Sequence, residues 1–227
     1  MTRTLVVTPQ REELEPILQR WSSSGHASHS VEVGQMSCFH VPSLEVTAAV
    51  GGHGKAQLAL QSQYLIDRCA RFDAMLCVGA AGSLSETLQL GDIVVGTATI
   101  EHDYKLRFVR SAPPCHPGSA SLLKRLSELL AVRELAFGVH LGKIASGDED
   151  IVDAARAAEL RATTDALCVA WEGSGAARAA AFNALEFLEI RCVTDGADAD
   201  ASLSFREHCS RVLPNVADLI AAWCLRG

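Results

Sequence analysis

The sequence predicts an α/β protein, a single three-layer α/β/α domain built around a mixed, mostly parallel central sheet. Strand-like and helix-like segments alternate along the 227 residues, and this alternation is typical of a sheet covered by helices on both faces. Several of the strand-like runs are apolar at nearly every position, as in strands that are buried on both faces. No linker or internal repeat interrupts the alternation, so one domain over residues 1–227 is expected.

The alternation begins with the strand-like run "TLVVT" at 4–8 and continues with "REELEPILQRW" at 11–21, whose apolar residues recur at helical spacing. Segment 31–52 contains turn signals at Gly34 and at Pro42-Ser43, which predict two or three short strands. Further strands are expected at 74–84, 91–104, 138–148, 166–173 and 187–193. Further helices are expected at 52–69, 119–132 and 175–185, with a short helix from about 149 and a long C-terminal helix from about 203 to 225.

The charge balance argues against polyanionic partners. The chain carries 20 Lys and Arg against 27 Asp and Glu, a net charge of −7, and its basic residues are scattered. Nothing would therefore offset the repulsion from the phosphates of nucleic acid or of an anionic membrane. No apolar run is long enough to span a bilayer, so neither nucleic acid nor membrane is expected as a partner.

The sequence also lacks the usual signals for secretion, metals and cofactors. The N-terminal "MTRTLVVTPQ" has no long apolar run before a small-residue cleavage site, which predicts a cytoplasmic protein. Of the eight cysteines, Cys77, Cys168 and Cys192 lie in apolar strand-like runs, where a reduced thiol packs as a small hydrophobe. No C-x-x-C occurs, and the His/Cys neighbours lack the spacing of a four-ligand zinc site. We expect no metal and no cofactor.

Glycines and carboxylates follow several of the predicted strands. Ligands of parallel sheets bind at the carboxyl ends of the strands, and segments 51–54 and 79–82, Glu172 and Asp195 all fall there. Neither "GGHGK" nor "GAAGS" has the spacing of a nucleotide-binding glycine motif, and each alone is typical of a tight turn. A single carboxylate at the start of a helix is usually a cap. Three acids that meet in one crevice would instead indicate a functional site.

Several motifs, in a fixed order, resemble the nucleoside phosphorylase/nucleosidase superfamily. They are "GGHGKAQLAL", "VGAAGSLSETLQLGDIVV", "HDY", "IASGD", "WEGSGAARAA" and "VTDGADADASLSF", and they extend along nearly the whole chain. The most similar branch is the methylthioadenosine/S-adenosylhomocysteine nucleosidases, with the futalosine hydrolases nearby. The resemblance implies the phosphorylase/hydrolase-like fold, a small-molecule purine nucleoside as substrate and cleavage of its N-glycosidic bond.

The resemblance assigns a role to each of three carboxylates. Asp195 matches the general acid that protonates N7 of the leaving purine, in a crevice that raises the pKa of this group. Glu13 matches the base that orients and deprotonates the attacking water, and Glu12 is the alternative if the alignment shifts by one residue. Glu172 matches the carboxylate that accepts hydrogen bonds from the ribose hydroxyls. This division of labour parallels glycoside hydrolysis by paired carboxylates.

The same resemblance implies the other substrate-binding residues, which are Gly79, Ala80, Asp150, Ile151, Trp171, Ser204 and Phe205. Phe205 matches an aromatic ring that packs on the purine, and Trp171 replaces a methionine under the sugar; core packing is the alternative for both. Ile151 ends a segment, 146–151, whose backbone hydrogen-bonds the base edge. Ala80 replaces a serine and Asp150 a large aromatic residue, which leaves the purine and its 5′ group open. Asp150 either accepts a hydrogen bond from the base or faces solvent.

Hydrolysis is favoured over phosphorolysis by the residues around the expected nucleophile. The strand exit at 77–80 has neither the arginine nor the serine that the related phosphorylases place beside phosphate. The N-terminal loop "TPQREEL" carries acids, with Arg11 as its only local cation, so phosphate would be repelled. A phosphate-dependent phosphorylase and a catalytically silent nucleoside-binding protein remain alternatives. A Rossmann-type oxidoreductase is disfavoured because no strand exit has G-x-G-x-x-G.

The resemblance also implies a homodimer or a higher homo-oligomer, in which a neighbour's loop closes the 5′ side of the pocket. The candidate loop is 110–119, "RSAPPCHPGS", whose prolines predict a stiff surface segment. A plain surface loop is the alternative. His102 and Asp103, which follow a predicted strand, are interpreted as structural or interfacial residues.

Overall fold

The computed structural model describes residues 2–69, 71–109 and 111–225. Its strands are β1 (Thr4–Thr8), β2 (His29–Val33), β3 (Met36–Val41), β4 (Val46–Val50), β5 (Ala74–Ser83), β6 (Ile93–Glu101), β7 (Cys115–Pro117), β8 (Val139–Ser146), β9 (Ala166–Ala170) and β10 (Glu186–Asp195). Its helices are α1 (Arg11–Ser23), α2 (Lys55–Arg68), α3 (Ala120–Leu130), α4 (Ala154–Thr164), α5 (Gly173–Phe182), α6 (Ala201–Val212) and α7 (Pro214–Cys224), with a 3-10 turn at Pro42–Leu44. Strands and helices alternate, and segment 31–52 supplies three strands, at the upper end of the prediction.

The described strands form one mixed, ten-stranded sheet. Strand β5 pairs in parallel with β1 and β10, and β1 pairs in parallel with β4. Strands β6, β8 and β9 are a second parallel group, which the antiparallel pairs β6–β10 and β5–β9 join to the first. Strands β5, β10, β6, β8 and β9 thereby close into a ring, while β4, β3 and β2 extend the sheet beyond β1.

Helices cover both faces of the sheet, which confirms the three-layer α/β/α architecture. On one face, α1, α3, α6 and α7 enclose the larger core, which contains Leu14 and Ile220. On the other face, α2 and α5 enclose a smaller core around Leu58. Successive residues of β1 point to opposite faces, so Val6 belongs to the larger core and Val7 to the smaller one.

The register of the central strands places their carboxyl ends at one edge. Strands β5 and β10 run side by side, with Ala80 opposite Cys192 and Gly82 opposite Asp195. Strand β1 ends at Thr8, beside the end of β4. The glycines and carboxylates that follow these strands in the sequence therefore meet in space.

Two helix predictions near this edge are wrong in their bounds. The long C-terminal helix is divided into α6 and α7, because Pro214 has no N–H to continue the hydrogen-bonding pattern and instead begins α7. The helix expected from about 149 begins at Ala154. Its N-cap is Asp153, whose carboxylate accepts hydrogen bonds from two backbone N–H groups of the first turn. Residues 149–153 are consequently a loop that is free to border a ligand site.

The segment expected to be a surface loop, 110–119, contains a short strand. Its residues Cys115–Pro117 form β7, which pairs antiparallel with β6. Arg110, the first residue of that segment, lies outside the described residues. Just before it, segment 104–109 exposes a group of apolar side chains: Tyr104, Leu106, Phe108 and Val109.

The cysteines form no disulfide within the described residues. All eight are free, and Cys77, Cys168 and Cys192 are buried within β5, β9 and β10. Across the described ranges, none of the helices has both the length and the apolar character that a membrane span requires.

Candidate active site

A cavity of about 270 Å³ opens at the carboxyl ends of β1, β5, β9 and β10. This strand-end cavity is lined by most of the residues that the sequence singles out, namely Glu13, Ala80, Asp150, Ile151, Trp171, Glu172, Asp195 and Phe205. Gly79 and Ser204 are not part of its lining. Gly79 instead packs against the Glu13 carboxylate, where an added Cβ atom would clash. On α6, Ser202 rather than Ser204 reaches the cavity.

Helix α1 fixes the position of Glu13 through a capping box. Glu13 Oε2 accepts a hydrogen bond from the backbone N–H of Gln10 (2.9 Å), just before the helix. Glu13 Oε1 accepts another from the backbone N–H of Ala80 on β5 (2.8 Å). The side chain is 3% exposed. Glu12, the alternative by a one-residue shift, is exposed and does not line the strand-end cavity.

The surroundings of Glu13 shift its titration to neutral pH. The pKa of Glu13 is raised to about 7, first by burial and then by the charge of Glu172. Arg191 and the two backbone hydrogen bonds act in the opposite direction and limit the rise of this pKa. A carboxyl with such a pKa can exchange a proton near neutral pH, as a general base must.

Glu172 and Arg191 form a buried ion pair at the cavity wall. Glu172 is the N-cap residue of α5, directly after β9, and Arg191 lies in β10. Glu172 Oε2 lies 3.3 Å from Arg191 Nη2, and Glu172 Oε1 accepts a hydrogen bond from the backbone N–H of Gly54 (3.2 Å). The carboxylate therefore has a fixed orientation and a cation that supports its negative charge.

A second buried carboxylate lies behind this pair. Glu189 Oε1 accepts a hydrogen bond from Arg191 Nε (2.8 Å), and Glu189 Oε2 accepts one from Thr99 Oγ1 (2.6 Å). Glu189 and Arg191 are two residues apart on β10, so their side chains share one face of the strand. The pair explains how two charged residues are accommodated within an otherwise apolar strand.

Asp195 ends β10 next to Gly82 of β5 and lines the cavity. Its Oδ2 accepts a hydrogen bond from Thr194 Oγ1 (2.8 Å), and its Oδ1 accepts one from the backbone N–H of Ala197 (3.0 Å). Burial raises the pKa of Asp195, although these two hydrogen bonds act to lower it. A carboxyl whose neutral form is favoured by burial can hold a proton for donation.

Two aromatic residues border the cavity. The Trp171 indole stacks on the His53 imidazole, with ring centroids 4.4 Å apart and an interplanar angle of 30°. His53 Nδ1 lies 3.4 Å from Glu172 Oε1, so the stacked pair borders the same side as that carboxylate. Phe205 lines the cavity from α6 and also packs partly against the larger core.

The loop before α4 borders another side of the cavity. Ile151 is buried, while Asp150 lines the cavity and is also exposed to solvent. The loop is tied down at two points. Arg156 donates two hydrogen bonds of 2.8 Å to Glu149, and Asp148 accepts one of 2.9 Å from the first backbone N–H of α2. Asp148 thereby joins this loop to the N-terminus of α2.

Three residues of the site were not predicted from the sequence: Arg191, Glu189 and His53. Arg191 is the only arginine or lysine among the described residues that line the cavity. The predicted local cation, Arg11, is instead exposed and paired with Glu15 on the surface of α1. The sequence did contain a signal for Glu189 and Arg191, because two charged residues lie within an apolar strand. A buried charge requires a partner, so the two residues could have been predicted to pair.

The lining of the cavity suits an uncharged, hydrogen-bonding ligand. Its carboxylates are Glu13, Glu149, Asp150, Glu172 and Asp195, against the single guanidinium of Arg191. Hydroxyl and N–H groups can donate to such carboxylates, whereas a phosphate ester would be repelled. Within the described part of the chain, no cluster of three His, Cys, Asp or Glu side chains is arranged to hold a metal ion.

Comparison with known proteins identifies relatives along nearly the whole chain. The family model described as the phosphorylase superfamily matches residues 3–223. A 5′-methylthioadenosine/S-adenosylhomocysteine nucleosidase of Thermotoga maritima is 29% identical over 170 residues, which cover 74% of this chain and 73% of the relative. A nucleosidase of the same name from Exiguobacterium sp. is 28% identical over 192 residues, 81% of each protein.

Solved structures of similar proteins share the fold. The 5′-methylthioadenosine/S-adenosylhomocysteine nucleosidase of Neisseria meningitidis, in complex with methylthio-immucillin-A, has a TM-score of 0.86 at 24% identity and covers 100% of both chains. A futalosine hydrolase mutant of Helicobacter pylori has a TM-score of 0.86 at 22% identity over 98% of both chains. These likenesses confirm the predicted fold class. Since the family model also spans nearly the entire sequence, the chain belongs to the phosphorylase superfamily.

Proposed function

We propose that the protein hydrolyses the N-glycosidic bond of a 5′-substituted purine nucleoside and releases the purine base and the free sugar. The observation that carries this proposal is the meeting of Glu13, Glu172 and Asp195, from three distant parts of the chain, at one cavity. Cleavage of this bond requires a proton donor for the base, an activated water and acceptors for the ribose hydroxyls. The three carboxylates supply one of these functions each.

Asp195 is the proposed general acid. A purine leaves poorly as an anion, so a proton delivered to its N7 lowers the barrier to departure. Burial holds the pKa of Asp195 above its ordinary value, which favours the protonated state that donation requires. The hydrogen bonds from Thr194 and Ala197 fix the direction in which the carboxyl points.

Glu13 is the proposed general base. Both of its oxygens are already held by backbone N–H groups, of Gln10 and Ala80, so its orientation is set before substrate binds. With a pKa of about 7, Glu13 is partly ionised at neutral pH and basic enough to take a proton from water. Its negative charge also favours the positive charge that develops on the ribose in the transition state.

Glu172 is the proposed acceptor for the ribose hydroxyls. The guanidinium of Arg191 and the backbone N–H of Gly54 hold it in one orientation at the cavity wall. Two adjacent hydroxyls can donate to the remaining lone pairs of this carboxylate. Such contacts orient C1′ between the water held by Glu13 and the base end of the cavity at Asp195.

Water is the proposed nucleophile. Among the described lining residues, carboxylates outnumber the one guanidinium, that of Arg191. This negative field disfavours a phosphate dianion and leaves water unaffected. A phosphate-dependent phosphorylase is the second candidate, and one observation favours it: Arg191 borders the cavity, contrary to the expectation that Arg11 is the only nearby cation.

The names of the relatives support the choice of nucleoside. The two curated relatives are named for methylthioadenosine and S-adenosylhomocysteine, and one structural neighbour is a futalosine hydrolase. We therefore place the substrate among 5′-substituted purine nucleosides of these kinds. The His53–Trp171 stack and the exposed Asp150 are the lining features that would choose among them.

A cytoplasmic homodimer or higher homo-oligomer completes the proposal. The apolar side chains of segment 104–109 are exposed, and an exposed apolar patch is typical of a protein interface. Static light scattering of the purified protein is expected to give at least twice the mass of one chain. A purely monomeric protein at micromolar concentration would contradict the oligomer.

A substrate panel tests the proposed function. Adenosine and inosine nucleosides with varied 5′ groups would be incubated with the protein, and the released base would be resolved by chromatography. We expect release of the base from a 5′-substituted nucleoside faster than from the unsubstituted one. No release from any member, combined with tight binding of one of them in a calorimetric titration, would identify a silent nucleoside-binding protein instead.

A further inference from the structure

We propose that Glu189 is a positioning residue that makes the site select water over phosphate, because it orients Arg191 and cancels the charge of its guanidinium. The consequence for catalysis rests on the proposed hydrolysis. The proposed exclusion of anions from the strand-end cavity can be measured by binding experiments, without any turnover.

The Arg191 guanidinium is enclosed by groups from several elements. Its Nε donates to Glu189 Oε1 (2.8 Å), and its Nη2 lies 3.3 Å from Glu172 Oε2. Its Nη1 also donates to the carbonyl oxygen of Ala80 (3.4 Å), and its Nη2 contacts Cys77 Sγ (3.5 Å). At 1% exposure, the guanidinium is poorly screened by solvent, so its nearest carboxylates determine the charge that a ligand experiences.

Glu189 is itself held from two sides. Its Oε2 accepts a hydrogen bond from Thr99 Oγ1 on β6, and its side chain is fully buried. At the start of α5, the absence of a side chain at Gly173 leaves the space that the Glu189 carboxylate occupies, because an added Cβ atom would overlap it. The N-terminus of this ten-residue helix, which carries a partial positive charge, therefore lies next to the Glu189 carboxylate.

The charge balance around Arg191 is negative. Apart from Glu189, the titratable groups that face it are Glu13 on α1, Cys77 on β5 and Glu172 at the start of α5, and Cys168 on β9 faces the Glu189–Arg191 pair. Burial raises the pKa of both thiols, so they are uncharged near neutral pH. Two carboxylates in addition to Glu13, those of Glu189 and Glu172, therefore face one guanidinium.

The excess of negative charge around Arg191 disfavours phosphate as a nucleophile but not water. A phosphate dianion that approaches Arg191 would have to compete with carboxylates that already bind it in a buried setting. Water carries no charge and meets no such barrier. Without the Glu189 charge, the Arg191–Glu172 pair would be neutral overall, and an anion would meet less repulsion at Arg191 when Glu13 is protonated.

The Glu189→Gln variant tests this assignment. A glutamine has the same shape, its Oε1 can still accept from Arg191 Nε, and its amide can donate to the Thr99 hydroxyl. Isothermal titration with inorganic phosphate is expected to show binding at least tenfold tighter in Glu189→Gln than in the unchanged protein. Equal affinity in the two proteins would overturn the proposal.

A matched control lies on the same strand. Glu186, at the start of β10, accepts hydrogen bonds from Ser119 and Ser121, and it is remote from the strand-end cavity. Glu186→Gln makes the same chemical change and is expected to leave phosphate affinity at the level of the unchanged protein. An equal gain of phosphate affinity in Glu186→Gln would show that overall charge, not the Arg191 site, is responsible, and would also overturn the proposal.

Turnover supplies two further readouts. With phosphate present, Glu189→Gln is expected to yield some sugar 1-phosphate: phosphate oxygen bonds to C1′, the C1′–N9 electron pair leaves with the purine, and Asp195 gives its proton to N7. The acid limb of its kcat/KM profile is expected to move about one pH unit lower, since removal of one negative charge beside Arg191 favours ionised Glu13. Unchanged products and an unchanged profile would overturn the role in selecting the nucleophile.

A second variant covers the case in which Glu189→Gln does not fold. Glu189→Asp keeps the charge but shortens the reach to Arg191, so it is expected to exclude phosphate and to lose about tenfold in kcat with little change in KM. Phosphate affinity raised in Glu189→Asp, or kcat left intact, would contradict the proposal. If neither the unchanged protein nor any variant cleaves a nucleoside, the proposed function is wrong. The phosphate titrations still test whether Glu189 excludes anions from the cavity.

Discussion

Glu172 Oε2 lies 3.3 Å from Arg191 Nη2, and both side chains are buried at the wall of the strand-end cavity. This contact joins the first residue before α5 to the middle of β10, and it does so at the place where a ribose is proposed to bind. The same ion pair therefore supports the fold and shapes the site. Removal of either partner would leave the other charge buried without compensation.

The first prediction concerns the stability that this cluster confers. Arg191→Met should lower the free energy of unfolding by about 3 to 5 kcal/mol, because it leaves Glu189 and Glu172 without their cation. Urea unfolding followed by circular dichroism measures the change. Arg11→Met, which removes an exposed cation from the surface pair with Glu15, is the control and should have little effect. A comparable loss in both variants would contradict the importance of the buried cluster.

The second prediction concerns the proposed general acid. Asp195→Asn should reduce base release about a thousandfold, because an amide cannot supply the proton that N7 requires. The fold should be retained, since the amide oxygen can still accept the hydrogen bond from Ala197. Asp200→Asn is the matched control, because Asp200 is exposed and does not line the strand-end cavity. Retained turnover in Asp195→Asn would refute the assignment.

The third prediction separates two neighbouring glutamates. Glu13→Gln should lower kcat by a factor of about a thousand while still binding the nucleoside, since the amide cannot take a proton from water. Glu12→Gln makes the same change one residue away, on an exposed side chain, and should leave kcat unchanged. Single-turnover rates and calorimetric binding of both variants check this pair. The reverse pattern would transfer the role to Glu12.

The fourth prediction follows from the titration of Glu13. Its pKa of about 7 in the folded protein lies above the ordinary value of 4.5, so between these values the folded chain holds a proton that the unfolded chain has lost. Stability contributed by this group is present below pH 4.5 and is lost as pH rises to 7. Glu13→Gln should therefore gain stability relative to the unchanged protein across this window, by about 3 kcal/mol in total.

Denaturation at a series of pH values measures that difference. The same titration should appear in catalysis as a fall in kcat/KM below about pH 7, when Glu13 takes up its proton. A stability difference between the two proteins that does not change with pH would contradict the raised pKa of Glu13.

Much of the fold follows from local sequence patterns. The apolar run of β5 and the helical spacing of α1 place these elements correctly, because burial on two faces or on one face leaves a different periodicity. The closed ring of β5, β10, β6, β8 and β9 could not be read in this way, since pairing between distant strands leaves no local trace. The break before Pro214 was available in the sequence as a residue without a backbone N–H.

Only part of the site could be predicted from the sequence. Glu13, Glu172 and Asp195 stand out because each follows a strand or begins a helix, and the structure brings all three to one cavity. Arg191 and Glu189 lie inside a strand, where position alone suggests packing. Their role depends on which groups of β5, β6 and α5 surround them, and that is a property of the assembled sheet.

The identity of the nucleophile decides whether the protein is a hydrolase. A reactive 5′-substituted nucleoside would be incubated with the protein in phosphate-free buffer and again with added phosphate, and the sugar product would be identified by mass spectrometry. If water is the nucleophile, we expect free sugar at the same rate in both buffers. Turnover only in the presence of phosphate, with sugar 1-phosphate as the product, would contradict hydrolysis.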